Sequence, residues 1–218
     1  MDWLSMQLAD SAFPAGGFAH SAGMEAAHQL GELAPGDVER FVREAIWQAG
    51  FGSLPVVGAA HRDPSRVGAT EATYDAFLTG AVSNRASRIQ GRAFASASAR
   101  SFGGDALWRL HDDVRERRLL GHHAPLFGAV AAALGVSRPD ALAIWMHTIL
   151  RGQLSAAVRL GLAGAHEAQA MQRATAPLLD RVVAACGELD AGALVQTAPR
   201  LDVTANQHDH LYSRLFQS

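Results

Sequence analysis

Ser21 is the residue whose surroundings most resemble those of a catalytic nucleophile. It lies in the sequence alanine-histidine-serine-alanine-glycine at residues 19–23. This imitates the Gly-x-Ser-x-Gly nucleophile elbow of α/β-hydrolases, with alanine at the first position. That elbow requires a buried strand before the serine, whereas residues 13–18 have the proline- and glycine-rich composition of a loop. A helix-capping serine is therefore favoured, and a serine hydrolase using Ser21 is the least favoured alternative.

Three histidine-containing pairs have spacings that metal sites use. Glu25 and His28 match the Glu-x-x-His pairs of di-iron bundles, but no second such pair is present. His166-Glu167 begins like the zinc motif His-Glu-x-x-His and lacks its second histidine. His208 and His210 would lie on one side of an extended strand, which leaves transient metal contact open. We therefore predict no metal site and no catalytic residue.

The composition excludes several function classes. The 218 residues carry 19 basic and 21 acidic side chains, every basic one is arginine, and the net charge is −2. Without lysine the chain cannot form a P-loop or a pyridoxal Schiff base. Near-neutral charge disfavours nucleic-acid binding, and only Arg115, Arg117 and Arg118 cluster in the sequence. We expect no membrane span and no secretory signal, hence a cytoplasmic protein. Because the candidate catalytic motifs are incomplete, we also expect that the protein is not an enzyme.

Helical periodicity extends along almost the whole chain, and 43 residues are alanine. Asp37 is expected to cap a helix whose pattern breaks at Gly50 and Gly52, and Ser137 with Asp140 to open the longest apolar helix. A short helix is expected over residues 190–196. Cys186, the single cysteine, is expected to be buried and inert. The prediction is an all-α fold: one domain over residues 1–218, with roughly eight to ten helices.

The two ends of the chain carry a resemblance to a known family. Residues 7–25 and 211–218 resemble the opening and terminal signatures of the UreF family of urease accessory proteins, and residues 83–92 and 123–129 match the family between them. The motif positions at the N-terminal end are Phe13, Pro14, Gly16, Gly17, Phe18, Ser21, Gly23 and Glu25. His20 stands where many members have tyrosine, and Gln217 where the family has arginine.

The resemblance implies an all-α protein without a catalytic site or cofactor of its own. It implies a chaperone-like scaffold, active as a homodimer, that joins the accessory protein UreD (UreH in some systems) and the GTPase UreG to apo-urease. Nickel and GTP would be handled by those partners during GTP-dependent nickel insertion. The alternative is a helical protein-interaction module unrelated to urease.

A partner-binding tail is expected at about residues 200–218. Leu211, Tyr212, Leu215 and Phe216 have the spacing of one short helical stripe. The stripe either packs on its own domain or, as we predict, folds against the UreD-type partner, with Tyr212 and Phe216 buried there and Arg214 paired with a carboxylate or carbonyl. Its removal is then expected to leave thermal melting largely intact. The predicted partner-binding residues are His210, Leu211, Tyr212, Ser213, Arg214, Leu215, Phe216 and Ser218.

Overall fold

The structure is a computed structural model that describes residues 2–218. These residues form a single all-helical domain without strands, which confirms the predicted class. Four short 3₁₀ turns cover Gly17–Ala19, Pro35–Asp37, Pro64–Arg66 and Gln207–His210. The α-helices are α1 (Trp3–Ala9), α2 (Met24–Gln29), α3 (Val38–Gly52), α4 (Leu54–Arg62), α5 (Val67–Phe77), α6 (Ala81–Phe102), α7 (Asp105–Arg115), α8 (His123–Ala133), α9 (Arg138–Arg159), α10 (Ala165–Cys186) and α11 (Pro199–Asn206).

The cap predicted for the longest apolar helix is confirmed. The Ser137 hydroxyl accepts a hydrogen bond from the Asp140 backbone N–H at 3.2 Å and donates to the Asp140 carboxylate at 2.8 Å. Pro139 lies in the first turn of α9, where its missing N–H costs nothing. The sequence therefore fixes the start of α9 locally, before any tertiary contact forms.

Two local predictions are wrong. Gly50 does not break α3, which ends at Gly52, the second glycine expected to break it. A Cβ on Gly50 would collide with the Val182 side chain, so this glycine allows α10 to approach closely. Residues 190–196, predicted as a helix, form turns and irregular chain instead, and the Val195 N–H donates to the Phe51 carbonyl.

The core is built around α8 and α9. Almost every residue of α8 is buried, and the helix packs between α4 and α6. The longer α9 contacts α1, α3, α4 and α10 and buries Trp145 and Leu150. Cys186 is buried against this core, as predicted, and burial raises the pKa of its thiol. No helix within residues 2–218 has the length and apolar composition needed to cross a bilayer.

One buried carboxylate fixes the connection between α7 and α8. The Glu71 side chain on α5 accepts backbone hydrogen bonds from Leu120, Gly121 and His122 at 2.6, 2.6 and 2.5 Å. Burial raises the pKa of Glu71, and these three N–H groups oppose that shift. We call Glu71 with residues 120–122 the interior carboxylate site.

Candidate functional site

The structure brings the two signature segments of the chain together. We call residues 13–25 the N-terminal motif and residues 211–218 the C-terminal segment. The Ser21 N–H donates to the Ser218 carbonyl at 2.6 Å, and the Gln217 N–H donates to the Ala19 carbonyl at 2.8 Å. The resemblance at the two termini therefore corresponds to one surface of the folded protein.

Glycine geometry places the N-terminal motif against α11. Gly23 has φ +88°, a left-handed conformation that ends the loop, and α2 begins at the next residue. A Cβ on Gly23 would lie 3.0 Å from the Ala205 Cβ. Any larger residue here would strain the backbone and push α11 away, so the motif requires glycine at this position.

Glu25 is the centre of the contact between the two segments. Its side chain is 1% exposed and lies in the first turn of α2. One carboxylate oxygen accepts the Leu215 N–H at 2.6 Å, and the other accepts the Phe216 N–H at 3.1 Å and faces His208 Nε2 at 2.9 Å. Because each contact brings a donor from the far end of the chain, this carboxylate holds the C-terminal segment in place. We call Glu25 with His208, Leu215 and Phe216 the terminal carboxylate site.

A cation between two aromatic rings adds a second attachment. The Arg159 guanidinium carbon lies 3.9 Å from the ring centre of Phe18 and 4.0 Å from that of Phe216. The same guanidinium donates a hydrogen bond to the Phe18 carbonyl. Since Phe18 belongs to the N-terminal motif and Phe216 to the C-terminal segment, Arg159 joins both to α9.

Ser21 does not have the surroundings of a nucleophile. Its hydroxyl is buried, donates to the Ser218 carbonyl at 3.1 Å and accepts the Glu25 N–H at 3.3 Å. The neighbouring His20 ring contacts the Ser218 hydroxyl at 2.5 Å instead of Ser21. Burial lowers the pKa of His20, and the nearby His208 and Arg85 lower it further. These groups are arranged to hold the C-terminal segment.

The histidine pairs considered as metal ligands are separated. His28 bonds the Leu33 carbonyl while Glu25 faces the C-terminal segment, and Glu167 caps the Gly164 N–H. His208 and His210 lie in a 3₁₀ turn instead of a strand, and only His208 is buried. Within residues 2–218 there is no cluster of three or more histidine, cysteine or carboxylate groups that could hold a metal ion.

The C-terminal segment differs from the predicted helical stripe. Residues 211–218 form bends and extended chain. Phe216 is 5% exposed and belongs to the hydrophobic core of its own domain, so at this position the segment packs on its own domain, the alternative to burial against the partner. Arg214 lies 3.6 Å from Asp209 of the same chain. Tyr212 and Leu215, in contrast, are exposed at 104% and 55%.

A partly open cavity of about 500 Å³ lies behind this surface. Its walls include His20 from the N-terminal motif and Phe216 from the C-terminal segment, together with Tyr74, His123 and Gln153 from the helices. Burial lowers the pKa of His123 to about 4, with a smaller contribution from His20. The two segments therefore close part of the interior as well as forming a surface.

The family model of UreF matches residues 1–176. The chain belongs to the UreF family. The matched residues contain the whole N-terminal motif and both carboxylates, Glu25 and Glu71. They stop before α11 and the C-terminal segment.

Full-length relatives extend the similarity to the C-terminal end. "Urease accessory protein F" of Arabidopsis thaliana is 34% identical over 223 residues, which cover 100% of this chain and 93% of that protein. The protein of the same name from Oryza sativa subsp. japonica is 32% identical, covering 98% of this chain and 84% of its own length. "Urease accessory protein UreF" of Kocuria rhizophila is 31% identical, with 98% and 95% covered.

In this UreF family member, some signature residues pack against other side chains and others hold the two termini together. Phe13 stacks on Phe102 at 5.8 Å between ring centres, while Gly23 and Glu25 position and hold the two termini. The sequence missed Arg159 and His208 as attachment points. Arg159 is 57 residues from Phe216 in the chain, and no local pattern indicates that the two would meet.

Proposed function

We propose that this UreF family protein is a urease accessory protein. In the cytoplasm it would join UreD (or UreH) and the GTPase UreG to apo-urease for GTP-dependent nickel insertion. Family membership and the names of the full-length relatives support the accessory role. The partners follow from the resemblance of the two terminal signatures.

The observation that carries the proposal is the rigid attachment of an otherwise exposed C-terminal segment. Glu25 and Arg159 fix the backbone and Phe216, while the side chains of Tyr212 and Leu215 remain in solvent. The backbone on either side of Tyr212 is already held, by the bond from the Leu211 N–H to the His208 carbonyl and by that from the Gln29 amide to the Ser213 carbonyl, so binding does not have to order the chain there. Aromatic residues dominate the energetics of protein interfaces. This is the arrangement of a docking surface, with Tyr212 as its principal contact.

The proposed role is that of a scaffold. The chain has no lysine for a phosphate loop, and its buried serine and imidazoles are used to join its own termini. Nickel and GTP are accordingly assigned to the partner proteins. A homodimer is part of the proposal, since Trp3 and Met6 lie one turn apart on α1 and are 87% and 50% exposed. Light scattering at micromolar concentration tests it, and a strict monomer would contradict it.

Co-purification with the UreD and UreG proteins of the same genome tests the assembly. Tyr212→Ala is expected to weaken capture of the UreD-type partner by at least about thirtyfold, the factor that corresponds to roughly 2 kcal/mol for an interface hot spot. Trp108→Ala is the matched control, because Trp108 is also an exposed aromatic residue but lies on α7. Equal capture by Tyr212→Ala and the wild-type chain would remove the C-terminal segment from the interface.

A further inference from the structure

Three arginines line one surface cleft beside the start of α6. Arg85, Arg88 and Arg92 follow one another at spacings of three and four residues, so they lie on one face of the helix. With Leu78, Thr79, Ala81 and Asn84 they line a cleft of about 440 Å³. The helix dipole at the first turn of α6 adds to the same positive potential. We call this surface the arginine cleft.

The positive charge of the cleft is only partly compensated. Arg88 pairs with Asp75 at 2.5 Å, and Arg85 pairs with Asp209 at 2.7 Å. Asn84 and then Arg88 hold the pKa of Asp75 well below its usual range, so Asp75 stays charged at neutral pH. Arg92 is exposed, and no carboxylate lies within 4.0 Å of it among residues 2–218. One full positive charge is therefore available to a ligand.

The lining of the cleft favours carboxylates on a polypeptide over a nucleotide. The lining residues include no aromatic side chain on which a base could stack and no glycine-rich loop around a phosphate. Guanidinium groups spaced along a helix instead match a row of acidic side chains, each of which can be bound by two parallel hydrogen bonds.

The cleft is also connected to the C-terminal part of the chain. Asp209, which pairs with Arg85, lies 3.6 Å from Arg214 and next to His208 of the terminal carboxylate site. A carboxylate that bound Arg85 would displace Asp209 and release that contact. Occupation of the cleft and the position of residues 207–214 are therefore coupled.

We propose that the arginine cleft docks an acidic segment of a protein partner, whose carboxylates pair with Arg92 and compete with Asp209 for Arg85. This goes beyond the accessory assembly, because it identifies the recognised chemistry without depending on which protein supplies the segment.

Fluorescence anisotropy of a labelled octaglutamate peptide with the full chain tests the proposal. Arg92→Gln is expected to weaken binding about fivefold, the effect of losing one partly exposed ion pair. Arg92→Glu is expected to abolish it. The matched control is Arg100→Gln, because Arg100 is exposed on the same helix and, within residues 2–218, bonds only the Ser96 hydroxyl; it is expected to leave binding unchanged. Circular dichroism establishes that each variant is folded.

Asp209→Asn provides a second test, in which peptide binding is expected to become tighter instead of weaker. Removing the competing carboxylate frees Arg85, so the peptide is expected to bind two- to fivefold more tightly, by about half to one kcal/mol. Unchanged or weaker binding would exclude Arg85 from the site.

Three results would overturn the proposal. One is the absence of peptide binding by the wild-type chain at low ionic strength. The second is an equal loss in Arg92→Gln and Arg100→Gln, which would indicate a diffuse charge effect. The third is tighter binding of inorganic tripolyphosphate than of the peptide, which would make the cleft a phosphate site. None of these bears on co-purification with urease accessory proteins, so the two proposals fail separately.

Discussion

The two carboxylate sites use the same chemistry in different surroundings. Glu25 and Glu71 are each 1% exposed, each lies on a short helix, and each accepts backbone N–H groups from a remote segment. Glu71 holds an interior connection, whose neighbour His122 is fully buried and bonds Ser87 and Asp75. Glu25 holds a segment that has solvent on one side, where Tyr212 is fully exposed.

The difference indicates how a buried carboxylate that accepts backbone N–H groups can stabilise the fold at one site and position a binding surface at the other. At the interior site the hydrogen bonds from Gly121 and His122 are buried, and only that from Leu120 is part-buried, so opening the site means unfolding part of the core. At the terminal site only Phe216 and Ser218 of residues 211–218 are buried, so fewer buried contacts must break for the segment to detach and its local opening costs less free energy. We therefore expect Glu71 to control global stability and Glu25 to control the local position of residues 211–218.

Glu71→Ala is expected to have the largest effect. It leaves two buried backbone N–H groups and one part-buried N–H group without a partner, and the free energy of unfolding should fall by about 4 kcal/mol. Urea denaturation followed by circular dichroism measures this.

Glu71→Gln is the matched control, because the amide oxygen can still accept two of the three hydrogen bonds. We expect a loss of about 2 kcal/mol for this variant. A loss below about 1 kcal/mol for Glu71→Ala would show that the connection between α7 and α8 is held by other contacts.

Acidification is expected to destabilise the protein through His123, which lies between the two sites. It follows the segment held by Glu71, and its pKa is also lowered by His20 of the N-terminal motif. The folded pKa is about 4 and the ordinary value 6.5. Between these values the unfolded chain binds a proton that the folded chain excludes, so stability present above pH 6.5 is lost as pH falls towards 4.

The size of this loss is about 3 kcal/mol, from 1.36 kcal/mol for each unit of pKa difference. His123→Phe keeps an aromatic ring beside Phe94 and Trp145 and removes the titration. Urea denaturation at a series of pH values should show a shallower slope for this variant. An unchanged slope would assign the acid sensitivity to other groups.

Glu25→Gln is expected to loosen the C-terminal segment by about 2 kcal/mol. Trypsin measures this directly, because cleavage after Arg214 requires the Leu215 N–H to leave Glu25. If cleavage proceeds from the opened state, its rate should rise about thirtyfold while global melting changes little. Mass spectrometry detects the loss of residues 215–218.

Glu71→Gln serves as the control for this experiment, and its cleavage after Arg214 under native conditions should match the wild type. If both variants accelerate this cleavage equally, the C-terminal segment opens only with the whole domain, and the contrast between the sites is wrong.

The sequence predicts the helices well where the determinants are local. The cap at Ser137 and the apolar periodicity of α9 and α10 depend on residues within a few turns of one another. The prediction that Gly50 breaks α3 is wrong because, in the sequence, a glycine within a helix looks the same as a glycine that ends one. The collision that a Cβ would make there involves Val182, which is 132 residues away.

From the sequence, the terminal carboxylate site was recognised only as two separate family signatures at the two ends of the chain. Composition and spacing gave no sign that Glu25 would face His208, since the donors lie 183 to 191 residues along the chain. The stripe at residues 211–216 has helical spacing, but Glu25 takes the N–H groups of Leu215 and Phe216, and these residues lie outside any helix. Buried backbone hydrogen bonds to a remote side chain thus override a short local pattern.

Arg159→Gln is expected to have the smallest effect and gives the sharpest test of the terminal site. The substitution removes the cation between the rings of Phe18 and Phe216 and costs about 1 kcal/mol, because a partly exposed cation–π contact contributes about that much. Trypsin cleavage after Arg214 should rise about fivefold, less than for Glu25→Gln.

A double-mutant cycle with Phe18→Ala separates the stacking from general loosening, since Phe18 is 69% exposed and its loss disturbs little packing. A coupling energy of about half a kcal/mol or more between residues 18 and 159 is expected. Additive effects of the two substitutions would show that Arg159 does not act through the Phe18 ring, which leaves its hydrogen bond to the Phe18 carbonyl and its contact with Phe216.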